Sequence, residues 1–185
     1  LIQFLDNHNE YKFLIEQPQA IDECSKITLL QYLIFKDKIQ FAQILLDNSN
    51  ISITVQGGLG TALHYVVIYN RPAILGSLIH GQQDPIVSER NHQGLTALQI
   101  GVIRRRLECC FSILSMAPNA LNDEVQTNYI QYVPEKFYTI PALTRTFHLI
   151  AICGYDELVQ RIPRRLIDQK TSGTRPGSGL VYVQG

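Results

Sequence analysis

The amino-acid sequence predicts an all-α solenoid of about four helix-turn-helix repeats, with an insertion before the last. Three observations lead there. A short grammar of capping residue, apolar stripe, break and second apolar stripe recurs from Thr28, Thr61, Thr96 and Arg145. The first three copies lie 33 and 35 residues apart and the fourth begins 49 residues on, so the last interval carries about half a repeat of extra chain. Within every copy the apolar residues fall at i, i+3 and i+4, a one-sided helical stripe that a neighbouring helix has to cover.

In chain order, residues 1–26, opening "LIQFLDNHNEYKFLIE", are expected to form an N-terminal helical cap or partial repeat. The repeat domain spans 27–165, with repeats starting near 27, 60, 94 and 144. Thr28 with Gln31, and Thr96 with Gln99, spell a capping box, in which hydroxyl and amide satisfy each other's backbone N–H. Thr61 with His64 is a variant carrying an imidazole in place of the amide. The fourth copy keeps His148 as a cap but has Arg145 at the capping position, so its helix is expected to start weakly, or one residue later at Thr146. Leu30, Leu63, Leu98 and Phe147 share one buried position. Second helices follow at 39–46, 73–79, 107–114 and 156–162. Pro72 opens the second of them, where proline is tolerated, and Gly154 forms the turn of the last copy. The insertion, 117–141, holds Pro118, Pro134 and Pro141 beside Tyr129, Tyr132, Phe137 and Tyr138, and is expected to be an extended loop with some β character. Residues 166–185, rich in Gly, Ser and Thr, are expected to be a flexible tail.

Composition narrows the function. Sixteen basic residues balance sixteen acidic ones, so no global field favours nucleic acid, a membrane surface or an acidic ligand. Direct nucleic-acid binding needs a continuous basic stripe, and none is present. No run of about 18 apolar residues exists, so no membrane span is expected. The chain opens on Leu1 rather than Met, so the natural N-terminus is expected to lie upstream and no targeting peptide is judged. The four cysteines, Cys24, Cys109, Cys110 and Cys153, form no C-x-x-C pair, which points to reduced thiols in the cytoplasm or nucleus. His64, His148 and Cys153 lack a zinc spacing, and Cys109-Cys110 beside Glu108 reads as helix packing rather than a nucleophile with its acid. An active site inside the insertion would need a nucleophile–base pair that it lacks. No catalysis, metal or cofactor is expected.

One basic run stands out, Arg104-Arg105-Arg106, at the end of an inner helix and the turn after it. It reads either as a solvated turn whose cations suit a helix C-terminus, or as an anchor for a partner's acidic segment. A second cluster, Arg161, Arg164 and Arg165, reads as solvated.

A period near 33 with paired helices resembles the ankyrin repeat, and the resemblance covers about 27–165. The small Ala-Ala pair usual in the inner helix is replaced here by Leu33-Ile34, Val66-Val67, Gly101-Val102 and Ile150-Ala151. Within ankyrin proteins the chain most resembles the IκB group, inhibitors and nuclear cofactors of NF-κB/Rel transcription factors. The traits are the Asn70-x-Pro72-x-Ile74 break, Asp84-Pro85 at a projecting finger, the Gly154-Tyr155 junction, and the insertion between third and fourth repeats. A fifth or sixth repeat, an acidic tail and an Asp-Ser-Gly-x-x-Ser degron are missing, so signal-driven degradation is not implied.

What the resemblance implies is a non-catalytic module that binds and regulates a Rel-homology factor or a signalling adaptor. The alternative is a general ankyrin scaffold, the recruitment domain of a larger signalling protein or a microbial effector. The binding surface would be concave, made of inner helices and fingers. By register it should expose Phe35, Lys36, Ile68, Tyr69, Ile103, Arg104, Ile152 and Cys153, with Gln56, Arg90, Asn91 and His92 at the fingers, and Arg71, Arg105 and Arg106 are further binding candidates.

Overall fold

In the computed structural model, which describes residues 19–22, 25–48, 51–79, 85–126, 129–133, 136–140 and 144–162, most ordered elements are helices. An antiparallel hairpin, β1 (Gln19–Asp22) with β2 (Ser25–Ile27), leads into α1 (Leu29–Phe35) and α2 (Ile39–Asn48). Next come α3 (Ala62–Ile68), a 3-10 turn (Pro72–Ile74) and α4 (Leu75–Leu78). A one-turn helix, α5 (Pro85–Ser88), precedes α6 (Ala97–Ile103) and α7 (Leu107–Met116). A second 3-10 turn (Pro118–Asn122) and the antiparallel pair β3 (Tyr129–Val133) and β4 (Lys136–Ile140) precede α8 (Thr146–Ile152) and α9 (Asp156–Arg161).

Each helix starts for a local reason. Thr28 accepts from the Gln31 N–H while the Gln31 amide oxygen accepts from the Thr28 N–H at 2.9 Å. Thr96 and Gln99 do the same for α6, and Thr61 with His64 closes the box on α3. The fourth helix differs. Arg145 holds the extended cap conformation in register with the three threonines, but it has no short acceptor oxygen and supplies no side-chain cap bond. His148 is exposed and does not act as a cap, which corrects the sequence expectation. Thr146 does not become the cap; it is the first helical residue. Its hydroxyl donates to the Asp123 carbonyl instead, pinning the helix to the chain that precedes it. Phe147 is half-buried, unlike Leu30, Leu63 and Leu98, which are fully enclosed.

Four identical turns end the inner helices. Asp37, Asn70, Arg105 and Gly154 all take left-handed φ values, between 54° and 58°. At each, the next residue's N–H reaches back to a carbonyl five residues earlier: Lys38 to Leu33, Arg71 to Val66, Arg106 to Gly101, Tyr155 to Ile150. Glycine is the usual residue at this helix-closing position. Here three positions keep a side chain, and each ties its turn to the next. The Asp37 carboxylate pairs with Arg71 at 3.0 Å. The Asn70 Oδ1 accepts from the Cys109 thiol at 3.6 Å. The Arg105 guanidinium donates to the Cys153 carbonyl at 2.9 Å.

The helices form two layers with the core between them. The inner helices α1, α3, α6 and α8 touch in succession, and so do the outer elements α2, α4, α7 and α9. Ile34, Leu63, Val67, Leu98, Val102, Ile113 and Leu149 fill the space between, all with essentially no exposed surface. Packing is tight at Gly101, where an added Cβ would lie 2.7 Å from the Cys110 sulfur of the outer layer and 3.2 Å from a Val67 methyl of the adjacent inner helix.

Three expectations need adjustment. The N-terminal cap is expected to be helical to residue 26, but Gln19–Asp22 and Ser25–Ile27 pair as β1 and β2; residues 1–18 lie outside the described residues. The second helix of the second repeat is broken into a 3-10 turn and a single α turn, because Pro72 opens it and Gly76 weakens its middle. Within the insertion, β3 and β4 pair residue for residue from Tyr129↔Ile140 to Val133↔Lys136. The tail expected at 166–185 lies outside the described residues.

Candidate protein-docking face

The third residue of each of the first three inner helices does two jobs. Its acceptor closes its own cap, and its donor reaches the chain of the following repeat. Gln31 donates to the carbonyls of Val55, at 2.8 Å, and Gly60, at 3.1 Å. Gln99 donates to the Asp123 carbonyl and the Thr146 hydroxyl. His64 uses its ring for both tasks. Its Nδ1 accepts from the Thr61 N–H at 3.1 Å, and its Nε2–H donates to the Leu95 carbonyl at 3.0 Å. That arrangement requires the neutral ring, and burial pushes the His64 pKa down to about 4. Gly60 makes room for it, since a Cβ there would lie 2.7 Å from the imidazole.

These bonds set the position of two fingers, 51–60 and 89–95, over the inner helices. The fingers also hold each other. Gln56 donates to the Arg90 carbonyl at 3.0 Å and the His92 Nε2–H to the Gly57 carbonyl at 3.1 Å. Asn91 shapes its own tip by accepting from the Gln93 and Leu95 N–H groups, and Arg90 donates to the Gly94 carbonyl. So Gln56, Arg90 and Asn91 build the fingers, and of these four only His92 is largely exposed.

Between the fingers and helices α3 and α6 lies a cleft of about 170 Å³. Its floor is Leu59, Ile68, Leu95, Ile100 and Ile103, and its rim is Asn91, His92, Gln93 and Arg104. Five of the residues expected at a binding surface therefore meet here: Ile68, Asn91, His92, Ile103 and Arg104. Ile68 is 8% exposed rather than open, because it is the cleft floor. A second set continues the face toward α1. The Phe35 and Tyr69 rings meet edge to face at 5.1 Å, Tyr32 lies 6.5 Å from Phe35, and Lys36 stands 4.7 Å over the Phe35 ring.

The basic run divides by role. Arg106 is the half-buried N-cap of α7 and Arg105 is a clip, its guanidinium also lying 5.5 Å over the Tyr155 ring. Arg71 is occupied by Asp37. Arg104 is exposed, and its side chain has no hydrogen-bond or ion-pair partner among the described residues. Sequence reading missed Leu59, whose signal is a lone apolar residue inside "GGLG", and Ile100, hidden by helical periodicity.

The thiols are not poised for chemistry. Cys109 and Cys110 are buried, and burial raises the Cys109 pKa to about 11 and pushes that of Cys110 higher still. Burial also raises Cys153, opposed by the nearby Arg105. Among the described residues no three His, Cys, Asp or Glu side chains gather to hold a metal, and no helix is long and apolar enough to cross a membrane. No protein-family model matches the chain, and no curated protein matches it.

Proposed function

We propose that this chain is a non-catalytic protein-binding module, an ankyrin-type solenoid of four hairpins. Its inner helices and fingers form the concave wall on which a partner rests. The observation that carries the reading is the run of surface from Tyr32 through Phe35 and Tyr69 to the cleft at Ile68 and Ile103. Apolar groups there are held by rigid elements and bordered by cations. Aromatic anchors beside arginine are what binding hot spots favour. The partner class implied by the IκB resemblance is a Rel-homology factor or an adaptor of the same signalling, held by occlusion in cytoplasm or nucleus. A pull-down of purified Rel-homology domains with this chain tests it. Capture at micromolar concentration, lost on Tyr69→Ala, is the expected result, and no capture removes the Rel assignment.

One observation favours the general scaffold as a second reading. None of the four inner helices contains an acidic residue. Inner helices without carboxylates do not suit the basic localisation segment that an inhibitor of this type masks.

A further inference from the structure

We infer that the cleft between the fingers and helices α3 and α6 receives one apolar side chain from an extended, acidic segment of a partner protein, and that Arg104 pairs with the carboxylate beside that side chain. The inference deepens the protein-binding reading and rests on it.

Size comes first. A cavity of about 170 Å³ is in the class that admits a group the size of a benzene ring. A Phe, Leu or Met side chain fits and a whole ligand of cofactor size does not. Chemistry comes second. The floor at Leu59, Ile68, Ile100 and Ile103 is aliphatic and offers no hydrogen bonds from its side chains. What enters gains by leaving water, at about 25 cal/mol per Å².

Charge decides the rest. No acidic residue lines the cleft, and none occurs on the inner helices. Arg104 stands beside it with a guanidinium that has no partner among the described residues, and its planar fork matches a carboxylate in two parallel bonds. Lys36 occupies the corresponding helix end two repeats earlier, and the acid nearest to it in sequence, Asp37, is already held by Arg71. The chain as a whole is neutral, so this cationic border is a local departure and not a general field. An apolar residue followed by Asp or Glu satisfies both halves of the site. A basic segment would place its charge against Arg104.

The test is selection of short random peptides on the intact chain, followed by fluorescence anisotropy with the best synthetic peptide. Enriched sequences are expected to set Phe, Leu or Met beside Asp or Glu. Arg104→Glu should weaken that peptide by at least about tenfold, as loss and reversal of an interfacial charge pair does. Lys38→Glu, an equal charge change at the exposed position just before α2, should leave affinity unchanged, and both variants should keep the parent's unfolding midpoint. Ile103→Asp should also abolish binding; if it unfolds, Arg104→Gln, with a smaller loss, carries the test. Enrichment of basic peptides, or of acidic ones indifferent to Arg104→Glu, overturns the inference while leaving a protein-binding module. No enrichment alongside capture of a Rel-homology domain overturns the cleft alone. No enrichment and no capture overturn both.

Discussion

His64 shows how much one side chain carries. Both ring nitrogens are committed, one to the Thr61 cap and one to the Leu95 carbonyl of the next finger, so protonation breaks an acceptor bond inside a fully enclosed site. The folded pKa, about 4, lies below the ordinary histidine value of about 6.5. In that window the unfolded chain binds a proton that the folded chain refuses. The stabilisation from His64 is therefore complete above about pH 6.5, falls as the pH drops toward 4, and changes no further below that. A displacement of this size corresponds to roughly 3 kcal/mol. Denaturant unfolding at a series of pH values should show that acid limb. The neighbouring repeats perform the same two bonds with Gln31 and Gln99, whose amides do not titrate. His64→Gln should stay within about 1 kcal/mol of the parent at pH 7 and flatten the limb. An equally steep loss in acid would show that some other group controls it.

At the scale of elements, the contact of α6 with α7 turns on Gly101 and Cys110. Gly101→Ala removes a helix-weakening glycine, a gain of up to about 1 kcal/mol, but drives a methyl into the Cys110 sulfur, at a cost of about 1–3 kcal/mol. Cys110→Ala alone leaves a small void. The pair together should recover stability beyond the sum of the single changes by about 1 kcal/mol or more, as read in a double-mutant cycle. Additive effects would mean the layers move apart freely. Such contacts mark the limit of what was legible in the chain. The helical class and the three threonine caps could be read, because a cap is a local pattern of hydroxyl, spacing and a third-position acceptor. Pro72 at a helix start could be read for the same reason. The clipping duty of Arg105 could not, since its partner carbonyl, Cys153, is 48 residues away across the insertion. Ile68 was placed on the surface by helical register, but register carries no information about the finger that folds over it. His148 had the right spacing for a cap but stays exposed. The cleft was half legible: its helix residues follow from periodicity, its finger residue Leu59 does not.

Among the described residues each helix pair is bonded to the next by a third-position side chain and a turn side chain. In the repeat stack proposed above, stability is the sum of local units and the interfaces between them, so a lesion is felt nearby first. α3 and α6 are enclosed on both sides and are buried along most of their length, whereas α8 exposes Ala151, Ile152 and His148. The opening free energy should therefore be highest in the second and third hairpins and lowest in the fourth. Leu63 and Leu158 are both fully buried, and replacing either with Ala should cost about 2–5 kcal/mol locally. Their reach should differ. Leu63→Ala weakens the α1 and α6 interfaces together, so amide exchange should accelerate in all three inner helices and the cleft should lose its peptide. Leu158→Ala should release α8 and α9 while α3 keeps its protection and the cleft keeps its affinity, since no cleft residue belongs to the fourth hairpin. Hydrogen exchange resolved by segment reads both outcomes at once. If Leu158→Ala lowered protection evenly from α1 to α9, the four hairpins would be one cooperative core, and the neighbour-by-neighbour account of how the docking face is held would have to be abandoned.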